Sequence, residues 1–159
     1  MLTRRLHPTD TQAASDLVCV GFEGYVAHEW EPQAGQEFIE IELAPERMGK
    51  LITESAFTAG TFSNAGELLG LLIMPEPTWL AVLFVHPRAF RQGIARKLWD
   101  RAREFVISLS PPVAEVRLNA STFAIGFYLK VGFVLRESLD IKGRHVNRMV
   151  WQVPPREKT

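Results

Sequence analysis

The 159-residue sequence predicts a mixed α/β fold: a mostly antiparallel central sheet of about six to seven strands flanked by about four helices. Three observations carry that reading. Short apolar runs bounded by turn residues alternate with longer segments of helical periodicity. Their order is strand, one or two helices, three strands, helix, strand, helix, two strands. No internal repeat or low-complexity linker interrupts them, so residues 1–159 read as a single domain with a core from about residue 3 to 153.

Thr3 to Leu6 predicts the first strand, stopped by His7-Pro8. Thr9-Asp10-Thr11-Gln12 has the form of a capping box, and Ala13, Leu17, Val20 and Gly21 begin an amphipathic helix reaching about His28. Glu29 to Leu43 is the least regular stretch, broken by Pro32 and Gly35. Pro45 opens a helix to about Glu54, in keeping with the preference for proline at a first turn. Ala56–Phe62 and Leu68–Met74 read as strands joined by Ser63-Asn64-Ala65-Gly66, and Trp79–Val85 as a third strand buried on both faces. Ile94, Leu98, Ala102, Phe105 and Leu109 then stripe a helix that ends at Ser110-Pro111-Pro112. Val113–Leu118 is a strand, Ser121 a candidate cap for a helix over 122–131, and Gly132 its terminator. Phe133–Ile141, Lys142-Gly143-Arg144 and His145–Val153 read as a closing hairpin.

Formal net charge is zero, which argues against nucleic acid or a membrane surface as the main partner. No apolar run has the length of a membrane span, and the polar start does not read as a signal peptide. The single cysteine, Cys19, fits a reducing compartment, so a cytoplasmic location is expected. The zero conceals an asymmetry. Between Gly21 and Glu67 nine glutamates face only Arg47 and Lys50, while six cations between Arg88 and Glu104 face only Asp100 and Glu104. A basic block suits an anionic cofactor, and an acidic one suits either a cationic acceptor or plain solvated surface.

The segment from Val85 to Arg96 is the most informative. An apolar run turns through Pro87 into an amphipathic helix with Gly93 and Ala95 in its first turn. Free N–H groups converge at a helix start, the dipole favours an anion, and small residues let it approach. With Ala124, Phe127, Tyr128, Gly132 and Phe133 further on, the chain resembles the GNAT superfamily of acyl-CoA-dependent N-acetyltransferases, most strongly from Leu80 to Val134. Val85, Pro87, Gly93 and Ala95 match that family's acetyl-CoA motif, whereas Phe90 stands where the motif has Gln or Arg.

The resemblance implies acetyl-CoA as cosubstrate and a strand pair splayed so that main-chain groups of Leu83 and Val85 hold the pantetheine arm. It implies a pyrophosphate cradle of Arg91, Gln92, Gly93, Ile94, Ala95 and Arg96, and a contact from Ser121, where the family often has asparagine. Tyr128 is then the acid for the departing thiolate, as a phenol protonated at neutral pH. The implied reaction is direct acetyl transfer to a primary amine, with a small molecule the expected acceptor. The implied assembly leaves room for a homodimer. Glu67, Glu115, His28, Glu29 and His86 stand as alternative bases. A CoA-binding module without turnover, or an acetyltransferase of protein N-termini or lysines, are the competing functions.

Overall fold

In the computed structural model, which describes residues 1–155, seven strands and five α-helices form. The strands are β1 (Leu2–Arg4), β2 (Phe57–Phe62), β3 (Leu68–Met74), β4 (Val82–Val85), β5 (Glu115–Ala120), β6 (Val134–Ile141) and β7 (Arg144–Gln152). The helices are α1 (Thr11–Tyr25), α2 (Pro32–Glu37), α3 (Pro45–Glu54), α4 (Ile94–Ser108) and α5 (Ile125–Lys130). The strands make two antiparallel sheets, ordered β1-β2-β3-β4 and β5-β7-β6. The mixed α/β architecture expected from the sequence is therefore present, with the added helix α2 in the stretch that looked irregular.

β3 is buried along its whole length and divides the apolar side chains between two clusters. Leu71 and Ile73 pack with α1 and α3 residues such as Val18, Met48 and Ile52, while Leu72 and Met74 pack with Leu98, Trp99 and Ala102 of α4. A bulge opposite Thr61 and Phe62 shifts the pairing, so Leu69 joins the α4 side and Leu68 the α1 side.

The helices lie very close to the first sheet. A Cβ built on Gly21 of α1 would sit 2.2 Å from the Phe84 ring of β4, and one on Gly70 of β3 would sit 2.8 Å from Ile94. Gly21→Ala must displace either the Phe84 ring or α1, an overpacking change expected to cost about 1–3 kcal/mol. Denaturant unfolding reads this directly as a lower midpoint, and an unchanged midpoint would contradict the packing.

Several local expectations are corrected. The first helix ends at Tyr25, short of His28. Thr9 and Gln12 do not form a capping box. Instead Asp10 accepts from the His7 N–H at 2.7 Å and pairs with Arg4 at 2.8 Å, and the guanidinium holds its carboxyl below the usual range. The capping box is thus set between His7 and Asp10, and Gln12 donates instead to Asp16 at 2.9 Å. β4 is shorter than expected and half-buried, because its second edge has no neighbouring strand. Leu109 lies just beyond α4. The closing hairpin turns through Lys142 and Gly143, both at positive φ (51° and 78°), as a two-residue loop matched to strand twist requires.

Candidate active site

The two sheets diverge between β4 and β5. Just before β4, Leu80 donates to the Arg117 carbonyl at 3.0 Å, and Arg117 donates to the Thr78 carbonyl at 2.8 Å. This parallel bridge at Trp79 joins the strands at their starts, and no ladder continues it between Val82–Val85 and β5. The gap therefore widens toward the C-terminal ends of both strands.

Alternation decides which groups face it. His86 donates to the Leu69 carbonyl at 2.7 Å in register with β3, so Phe84 and Val82 also turn their main-chain groups to β3. Leu83 and Val85 turn theirs into the gap, while their side chains pack on the α4 cluster. On the far side Asn119, two residues beyond Arg117, turns its main chain the same way. A parted pair of strands with open hydrogen-bonding edges is a slot for an extended, amide-containing chain.

The wide end leads to the start of α4. Arg91 and Gly93 both adopt positive φ (65° and 74°) in the loop, and the amides from Gln92 to Arg96 find no backbone acceptor among the described residues. No side chain caps the helix, and a Cβ on Gly93 would meet nothing within 4 Å. The cradle expected from the sequence (Arg91, Gln92, Gly93, Ile94, Ala95, Arg96) is thus an open, uncapped helix start with unpaired amides. Arg91 is exposed with no side-chain partner among the described residues, whereas Arg96 shares its charge with Asp100 at 3.4 Å. The donor set suits a pyrophosphate.

Tyr128 lies on α5, which ends where Gly132, at φ 105°, donates to the Leu129 carbonyl and Phe133 donates to the Tyr128 carbonyl. The Tyr128 ring is 6% exposed and packs edge-on against Phe127 and Phe133. Its hydroxyl has no hydrogen-bond partner among the described residues, yet is not among the sealed polar atoms. Burial pushes the phenol's proton affinity up, which keeps it neutral and able to act as an acid.

An acetyltransferase (GNAT) domain model matches residues 26–148. The chain belongs to the GNAT acetyltransferase family. GNAT enzymes take acetyl-CoA as acyl donor, and the open strand edge and helix start fit that ligand. Comparison with curated proteins finds no match. Among solved structures, the fold is shared with a GCN5-related N-acetyltransferase from Rhodopseudomonas palustris (TM-score 0.79, 16% identity, 95% of this chain and 94% of that one). It is also shared with the PaiA N-acetyltransferase from Thermoplasma acidophilum in complex with coenzyme A (TM-score 0.77, 18% identity, 95% and 98%). The ribosomal-protein-S18-alanine N-acetyltransferase of Escherichia coli is similar as well (TM-score 0.63, 16% identity, 99% and 96%). Among the described residues no helix is long and apolar enough to cross a membrane.

The base candidates of this GNAT chain are scattered. Glu67 pairs with Arg88 on the surface, Glu115 with Arg117 at the closed end of the gap, and the His86 ring accepts from the Arg88 N–H. His28 is exposed. Glu29 is tied to the β5 side of the open end, accepting from the Thr122 N–H at 2.8 Å and from the Thr122 hydroxyl. That contact corrects the expected cap: the Ser121 side chain makes no cap bond, and a carboxylate from the distant α1–α2 segment serves this turn instead. Thr122 is in turn bonded by Asn147, a buried β7 amide that also binds the Ala120 carbonyl at 3.0 Å. Cys19 is a half-buried α1 thiol whose proton affinity burial pushes up, which leaves it a poor nucleophile.

Sequence reasoning missed the ring cluster of Tyr25, Phe90 and Phe123, which lies at the same open end. The one available signal was Phe90, the apolar departure from the family motif.

Proposed function

We propose that this chain is an N-acetyltransferase that acetylates the primary amine of a small molecule by direct attack in a ternary complex. The observation that carries the reading is the continuous path from the unpaired edge of β4 to the uncapped start of α4. Acetyl-CoA, when bound, supplies the thioester carbonyl for that attack. Leu83 and Val85 offer the pantetheine arm the main-chain partners a missing strand would have provided, and amides from Leu83 to Val85 polarise the carbonyl oxygen. The amides from Gln92 to Arg96 take the pyrophosphate, Arg91 and Arg96 add charge, and Ser121 contributes from the β5 side. Tyr128 holds its proton until the sulfur departs, then gives it to the thiolate.

The test is thiol release from acetyl-CoA across a panel of small amines, with the acetylated product identified by mass. Acceptor-dependent release with a matching N-acetyl product is expected. CoA binding without release for any amine would leave only a binding module, and release confined to peptides would move the acceptor to proteins.

A further inference from the structure

The wide end of the β4–β5 gap is spanned by three aromatic rings from three separate segments. Tyr25 ends α1, Phe90 sits in the loop after β4, and Phe123 in the turn after β5. Tyr25 stacks on Phe123 with centroids 4.3 Å apart, and lies 5.6 Å from Phe90. Phe90 and Phe123 are 6.0 Å apart and nearly parallel. None of the three belongs to either hydrophobic cluster, and Phe123 is 60% exposed. Core packing therefore does not account for them, and exposed aromatic area at a cleft mouth gains most when something covers it.

A fixed negative charge adjoins the rings. Glu29 lies four residues beyond Tyr25, and its carboxylate is anchored on Thr122, the neighbour of Phe123. Each carboxylate oxygen takes one bond from Thr122 and keeps further accepting capacity. Of the basic side chains nearby, His145 pairs with Asp140 at 2.9 Å and also interacts with Glu29, Arg144 pairs with Glu42 at 3.5 Å, and Arg91 beside Phe90 has no side-chain partner among the described residues. Ring faces beside an anchored carboxylate attract an ammonium and shelter an apolar body attached to it.

We propose that Tyr25, Phe90 and Phe123, together with Glu29, select the acceptor as a primary amine on an aromatic body: an aryl-substituted alkylamine. The proposal rests on the acetyltransferase reading above. The rings cover the aryl group, and Glu29 draws the ammonium end toward the gap before the nitrogen is deprotonated for attack. A hydrophilic diamine satisfies the carboxylate but leaves the rings wet.

The test compares kcat/KM for phenethylamine and putrescine at saturating acetyl-CoA, in the wild type and in Phe123→Ala, Phe123→Tyr and Tyr25→Ala. Calorimetry measures phenethylamine binding to the CoA-saturated protein and CoA binding alone. Phenethylamine should be preferred by roughly tenfold or more, and Phe123→Ala and Tyr25→Ala should each remove most of that preference while CoA affinity stays unchanged. Phe123→Tyr, which keeps the ring, should retain it. Putrescine used as well as phenethylamine would overturn the selection and leave the acetyltransferase reading standing. So would a Phe123→Ala variant that weakens CoA binding with amine preference intact, since the rings would then serve the cofactor. Absence of turnover with every amine, despite CoA binding, would overturn both.

Discussion

Tyr128→Phe should lower turnover by roughly 10²–10⁴-fold, the range for losing a positioned general acid. The change removes one oxygen and keeps the ring between Phe127 and Phe133, so stability and CoA affinity should hold. Because the hydroxyl bonds to no other described residue, its removal leaves no buried partner unsatisfied. Burial raises the phenol's proton affinity, so ionisation of Tyr128 should not produce an alkaline fall in rate below its ordinary pKa of about 10. Steady-state and single-turnover rates, with calorimetric CoA affinity, check the prediction. An unchanged rate where chemistry limits turnover would reassign Tyr128 to packing.

Gly93→Trp should weaken CoA binding by roughly 10²-fold or more, as expected from losing one or two charge-assisted hydrogen bonds of about 1.5–3 kcal/mol each. The space before Gly93 is open, so the indole is not forced into the core; it lies over the amides instead. Positive φ adds strain for any side chain there, about 1–2 kcal/mol. Gly93→Ala separates the two effects. Alanine should lower the melting temperature and leave CoA affinity nearly intact, whereas tryptophan should remove binding. Calorimetric titration with CoA gives the answer, and wild-type affinity in the tryptophan variant would mean that the pyrophosphate lies elsewhere.

The elements read correctly from the sequence are those whose signals are local. Pro45 opens α3 and the amphipathic pattern carries it to Glu54, as expected. Lys142-Gly143 turns the hairpin, and Gly132 ends α5 by its positive φ. The misreadings share a different cause. Pro32 resembles a breaker but is the first residue of α2, and the following π-helical turn Phe38–Glu42 is held by Phe38 against Phe22 and Trp30. β4 carries the apolar pattern of a strand covered on both sides, yet the fold leaves one of its edges open. Composition does not reveal an unpaired edge.

The open, uncapped start of α4 was legible for the same reason as the turns: glycine at a helix start has a local meaning. The acceptor side was not. Glu29 and Thr122 are far apart in the chain and meet only through the packing of the α1–α2 segment on the start of α5. The acidic excess gave little guidance, since Glu67 and Glu42 are spent on Arg88 and Arg144, and Glu37 and Glu40 accept from neighbouring glutamines. Of that block, Glu29 is the residue whose carboxylate is fixed beside the open end of the gap.

The central claim is that donor and acceptor meet in the β4–β5 gap and react directly. Initial rates of thiol release, measured while acetyl-CoA and an accepted amine are varied together, test it most directly. Direct transfer predicts double-reciprocal lines that intersect, because both substrates must be bound before any product leaves. Parallel lines, with an acetylated protein isolated in the absence of amine, would show a covalent relay and contradict the account.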